Sequence, residues 1–146
     1  MINISSITKS IFILLLASFI TPALAAPQML YSHNRIRFMS GGIGHDEVLE
    51  MRPFAKKYTL NLLFSEGEEG TAVTGLNIDI YNEQNEQVFK LKGAKPVLYI
   101  NLPAGIYTVL ANHNGAKLRH KFSIEDHTTQ KIILNWKDDL VEESPL

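Results

Sequence analysis

From Tyr58 to Trp136 the chain alternates apolar and polar residues with a period of two, the pattern of strands that bury one face. Tyr58, Leu60, Leu62 and Phe64 share one face, and Thr59, Asn61 and Ser65 take the other. Leu76, Ile78 and Ile80 alternate with Asn77, Asp79 and Tyr81. Further strands are predicted over residues 88–91, 96–102, 106–111, 117–124 and 128–136. Within 117–124, Leu118, His120, Phe122 and Ile124 fall on one face. The intervals read as turns. Residues 65–70 are an acidic loop, and 82–86 and 92–94 are short turns. Asn114-Gly115 is a strong hairpin signal, because a two-residue turn of this kind needs positive φ at both positions. Seven strands with turns at short, regular spacing predict an all-β sandwich. Leu60, Leu62, Phe64, Leu76, Ile78, Ile80, Ile132 and Leu134 are expected to point into its core.

Upstream the period changes. Gly41-Gly42-Ile43-Gly44 opens a helical pattern, with Asp46 and Glu47 where the helix dipole favours negative charge. Val48, Met51 and Ala55 fall on one face at helical spacing, with Leu49 beside them. Lys56 and Lys57 stand at the C-terminal end. Pro53 lacks a backbone donor and clashes with the carbonyl of Leu49, so the helix is expected to be short, kinked or loosened there. Before it, Met29-Leu30-Tyr31 and Ile36-Arg37-Phe38-Met39 are compatible with a short strand in an entry segment.

The first 25 residues carry the pattern of an export signal. Lys9 supplies a positive start, residues 11–20 are an apolar run, Pro22 breaks it, and Ala23-Leu24-Ala25 is a small-residue cleavage site. The run is too short for a spanning helix, which needs about 20 apolar residues. The predicted organisation is a signal peptide over 1–25, an N-terminal segment over 26–40, a helix plus sandwich over 41–136 and an acidic tail over 137–146. After cleavage no membrane span is expected.

Composition narrows the chemistry. The chain has 146 residues and no Cys, which removes thiol catalysis, thiolate metal sites and redox function. Formal charge is −1, and loss of Lys9 with the signal leaves about −2, which offers no basic footprint for nucleic acid. Lys90, Lys92 and Lys95 read as solvated charges around a turn. The His residues are His33, His45, His113, His120 and His127, and none forms an i, i+4 helical pair or an alternating strand pair, so no metal site is expected. His113 and His120 are the pair that could meet across the hairpin. Glu66, Glu68 and Glu69 lack the spacing of a calcium loop. No Ser stands in a nucleophile elbow. Gly41-Gly42-Ile43-Gly44 is not a phosphate loop, since no Gly-Lys-Ser/Thr follows and Asp46 and Glu47 would repel a phosphate.

Turn chemistry explains Leu102-Pro103-Ala104-Gly105-Ile106-Tyr107. Pro103 fixes φ, Gly105 tolerates φ > 0, and the Tyr107 hydroxyl is in reach of nearby backbone. This motif, the Gly41-Gly42-Ile43-Gly44-His45-Asp46-Glu47 element, Tyr58-Thr59-Leu60-Asn61-Leu62 and the ending Ile132-Ile133-Leu134-Asn135-Trp136 occur in an order that resembles small exported bacterial proteins with a carboxypeptidase regulatory-like, or prealbumin-like, domain. The resemblance covers residues 40–136. It implies a seven-stranded prealbumin-like β-sandwich preceded by a short N-terminal helix, a periplasmic location and no catalytic residues. Ala104 stands where that family often has a second Pro, and Pro53 interrupts its helix. Transthyretin-like hydrolases share the architecture but end in Tyr-Arg-Gly-Ser, whereas this chain ends its last strand Asn135-Trp136-Lys137.

The expected function is therefore a periplasmic, non-catalytic binding or assembly module for a protein or envelope ligand, without a cofactor. A hydrolase or carbohydrate-active accessory is the first alternative. A structural subunit pairing through a strand edge is the second. Gly41, Gly42, Gly44, His45, Asp46 and Glu47 are the candidate docking surface, because three Gly in four positions cost backbone entropy that a linker need not incur.

Overall fold

A computed structural model describes residues 30–31 and 34–137. The predicted signal peptide and all but the first residue of the predicted acidic tail lie outside the described residues. In chain order the elements are β1 (Leu30–Tyr31), β2 (Arg37–Gly41), α1 (His45–Met51), a 3-10 helix (Arg52–Lys57), β3 (Leu60–Glu66), β4 (Thr71–Ala72), β5 (Leu76–Asn82), β6 (Gln87–Ala94), β7 (Val97–Ile100), β8 (Gly105–His113), β9 (Ala116–Ile124) and β10 (Gln130–Trp136).

The strands form two sheets. One runs β1-β2-β7-β3-β10, with β4 also paired to β3, and the other runs β6-β5-β8-β9. All pairs are antiparallel except β3 with β10, which run parallel from Leu60 opposite Gln130 to Glu66 opposite Trp136. A parallel pair cannot be joined by a hairpin, so the whole second sheet is threaded between its members.

Two expectations are corrected. Ten strands, not seven, occur among the described residues, since β1, β2 and β4 join those the alternation predicts. Nor do the described residues of the 26–40 segment stand apart from the sandwich. Arg37–Gly41 sits inside the first sheet between β1 and β7, so α1 follows a strand rather than preceding the sandwich.

Between the sheets lies the main core, in which every residue expected to point inward is buried, from Leu60, Leu62 and Phe64 to Ile132 and Leu134. A second core lies on the outer side of the first sheet, where Met39, Met51, Tyr58, Val97 and Tyr99 pack with Val48, Phe54 and Ala55. The helical segment therefore covers β2 and β7. As a result β7 is buried along its whole length, Leu98 and Ile100 toward one core and Val97 and Tyr99 toward the other. This gives a physical reason for an unbroken apolar strand where a half-buried one would alternate. Tyr58 belongs to this outer core and not with Leu60. It closes the 3-10 turn ahead of β3, so the strand's alternation does not reach it. Leu49, expected near the buried face, is instead 43% exposed.

The end of the α-helix follows from Pro53. The α-helix stops at Met51 and the chain tightens into the 3-10 turns of Arg52–Lys57, with the Pro in their first turn, where a missing N–H costs nothing.

In the turn ahead of β8, the Tyr107 hydroxyl donates to the Pro103 carbonyl at 2.8 Å. Its ring stacks on Phe122 with centroids 5.8 Å apart. Burial raises the Tyr107 pKa above its ordinary 10.0. Burial likewise raises Tyr99, against a smaller opposing pull from Arg52. A raised folded-state value means that the folded chain holds the proton longer than the unfolded one. The stabilisation is complete below pH 10 and is lost as pH rises through the folded values. Tyr107→Phe should cost about 0.5–1.5 kcal/mol by denaturant titration at neutral pH and reduce the loss of stability seen on raising pH above 10. An unchanged alkaline profile would show that Tyr107 does not titrate with folding.

Candidate functional site

The glycine-rich element has a packing role. A Cβ on Gly42, where φ is 89°, would lie 2.5 Å from Val97 Cγ2. A Cβ on Gly41 would lie 2.5 Å from Met51 Sδ and 2.8 Å from Glu47 Oε1. These two glycines let α1 approach β2 and β7 closely enough to close the outer core. Gly44 is the N-cap of α1. Glu47 is also held within the fold. Its carboxylate accepts from the Ile43 amide at 2.7 Å and lies 3.7 Å from Lys95 Nζ. Packing and internal contacts thus give Gly41, Gly42 and Glu47 a role within the fold itself. His45 and Asp46 are exposed at the helix start, and no described side chain pairs with them.

The histidines do not converge. His113 stands opposite Ala116 and His120 opposite Val109, about 13 Å apart along β8. His113 instead packs on the Trp136 ring and places Nε2 3.6 Å from Glu66 Oε2. His45 and His127 are exposed, and His33 lies outside the described residues. Among the described residues no three His, Asp or Glu side chains gather where they could hold a metal ion.

What the fold does gather is charge, on the outer face of the second sheet. There the inward alternation of Leu76, Ile78 and Ile80 leaves Asn77, Asp79 and Tyr81 pointing outward from β5. Burial of Phe89 and Phe122 leaves Lys90 and Lys92 on β6 and Lys117, Arg119 and Lys121 on β9 on the same outer face. Register sets them in rows across the sheet. One row reads Lys90, Asp79, Leu110, Arg119, the next Gln87, Tyr81, Thr108, Lys121, and a third ends Asn77, Asn112, Lys117.

Asp79 is the one carboxylate on these strands' outer face. It accepts from Gln87 Nε2 at 2.8 Å and lies 4.0 Å from Lys90 Nζ. Among the described residues, Lys92, Lys117, Arg119 and Lys121 have no carboxylate partner. Two depressions mark the face. The first, of 220 Å³, is lined by Asn77, Asp79, Leu91, Leu110 and Asn112 together with Lys90, Lys92 and Lys117. The second, of 440 Å³, brings Arg119 and Lys121 together with Thr108, Asn82 and Asn85, and with Glu83 at its turn end. A third hollow, of 300 Å³, lies by the Pro103 turn and is bordered by Thr59, Glu125, Asp126 and His127.

No family model matches the chain, and no curated protein matches it. Among solved structures it is similar to a 5-hydroxyisourate hydrolase of Klebsiella pneumoniae, at 18% identity and a TM-score of 0.44, over 55% of this chain and 90% of that one. It is also similar to the Bacillus anthracis TIE protein, at 21% identity and a TM-score of 0.37, over 53% of this chain and 15% of that one. At these scores neither likeness bears on what this chain does.

Sequence reasoning passed over the cationic face, and two of its assignments there are corrected. Lys90 and Lys92 are not turn charges. Both belong to β6, which continues to Ala94 through the predicted turn at 92–94. A near-neutral total also hides a local concentration of one sign. The available signal was the i, i+2 spacing of Lys117, Arg119 and Lys121 opposite the apolar face of their strand.

Proposed function

We propose that this protein is an exported binding module of the prealbumin-like kind, acting in the periplasm, whose ligand face is the outer surface of the β6-β5-β8-β9 sheet. One observation carries the reading: the two sheets differ in how their outer faces are used. The helical segment roofs β2 and β7 of the first sheet, whereas the second leaves polar and cationic side chains uncovered over two adjoining depressions. Cations without partners keep their full charge available to a ligand. The Ala23-Leu24-Ala25 cleavage pattern and the resemblance of residues 40–136 support export.

The test has two parts. Intact-mass measurement of the protein from a periplasmic fraction should give a chain beginning at Ala26, and a species retaining Lys9 would sink the export reading. A photoreactive residue at Ile106, on the proposed face, should form an adduct with an envelope component, while one at Glu50 on α1 should not. Adducts from Glu50 alone would move the docking surface to the helix start, with His45 and Asp46 as its first residues. No adduct from Ile106 would end the present reading.

A further inference from the structure

Resting on that reading, we infer that the face binds a carboxylate-bearing polysaccharide, held across the sheet between the cations of its two edge strands. The first depression has cations on both sides, Lys90 and Lys92 from β6 and Lys117 from β9, and between them lie the amides of Asn77 and Asn112, Leu110, and the Asp79 carboxylate, which Gln87 and Lys90 already engage. The edge strands are three strand spacings apart, about 14 Å, so a ligand that meets the cations of both lies across the sheet. A second pair of cations, Arg119 and Lys121, borders the adjoining depression about 7 and 13 Å along β9 from Lys117. Anionic groups repeated along an extended chain fit this arrangement of cations across and along the strands.

The material between the cations selects the kind of chain. Primary amides donate and accept at once, as sugar hydroxyls do. Asn112 Oδ1 already accepts from the Gly115 amide at 2.9 Å, which fixes the side chain and leaves its NH₂ free to donate. Asn77 is exposed, and Thr108, Asn82 and Asn85 repeat the polar character in the second depression. An added peptide strand would draw its affinity from backbone bonds at a sheet edge and from pockets for alternate side chains, whereas these depressions lie on the face of the sheet. An anionic bilayer would meet concave ground, where membrane binding calls for projecting apolar groups.

The exported chain would be titrated calorimetrically with oligogalacturonate and with alginate oligomers, at low and high salt. At least one should bind, and binding should weaken steeply with salt, as interactions between exposed charges do. Maltohexaose, which is neutral, should not bind. Lys92→Glu with Lys117→Glu should lower the affinity at least tenfold without changing the melting transition. Asn77→Ala should lower uronate affinity severalfold while leaving any residual binding of polyglutamate unchanged. The inference is overturned if neither uronate binds, if the charge reversals leave binding intact, or if polyglutamate, a DNA oligonucleotide or phosphatidylglycerol vesicles bind as well as the uronates. In that last case, abolition of binding by the same reversals would remove the polysaccharide and leave the face as a binding surface. Loss of the Ile106 adduct would remove both.

Discussion

Replacing Leu62 by Ala should lower the free energy of unfolding by about 2–5 kcal/mol, the range for a large-to-small change in a packed core. Leu62 is fully buried in the middle of β3. It stands between Leu98 of β7 on one side and Ile132 of β10 on the other, and both of those side chains face the same core. Neighbours fixed in three adjoining strands cannot easily collapse into the space left behind, which favours the upper part of the range. Denaturant titration gives the result through the shift in midpoint at constant slope. A loss below about 0.5 kcal/mol, the level of an ordinary surface substitution, would mean that Leu62 does not face the core and that the β3 register is displaced by one residue.

Gly42→Ala should cost about 3–5 kcal/mol, for two separate reasons. At a φ of 89° an L side chain is strained, and the new methyl meets Val97 Cγ2 at 2.5 Å. Gly44→Ala is the control, since its φ is 85° and a Cβ there meets nothing within 4 Å. That variant carries backbone strain alone, about 1–3 kcal/mol. The difference between the two isolates the close approach of the helical segment to β7. Equal losses would mean that α1 is not seated on the sheet, and the outer core of Met39, Met51, Val97 and Tyr99 would have to be abandoned.

Seven strands, the hairpin at Asn114-Gly115, the inward-facing residues of β3, β5 and β10 and the weakening of the helix at Pro53 were all written locally. Each depends on residues within a few positions of one another, and alternation, turn chemistry and a missing N–H act over that range. The Asn114-Gly115 turn is such a case: both residues take positive φ, 50° and 91°, and His113 is set opposite Ala116. The glycines at 41 and 42 were visible as a feature that needed a reason. For Gly42 the reason itself, a side chain of β7 some 55 positions later in the sequence, was not visible.

Everything that depends on which strands become neighbours was decided by the tertiary structure. Alternation states that a strand has two different faces, but it does not state what will cover the second one. The unbroken apolar run of β7 acquires its meaning only when α1 settles on the side away from the main core. The parallel pairing of β3 with β10 joins the first and last long strands, and no local signal distinguishes it from an antiparallel partner. The cationic face has the same origin. Lys90 and Lys92 belong to one edge strand, and Lys117, Arg119 and Lys121 to the other. Along the chain these are two modest groups in a nearly neutral sequence. They become one surface because β5 and β8 lie between them and hold both edges to the same side. Periodicity is a property of each strand alone, whereas a shared face is set by sheet order and register, which long-range packing determines.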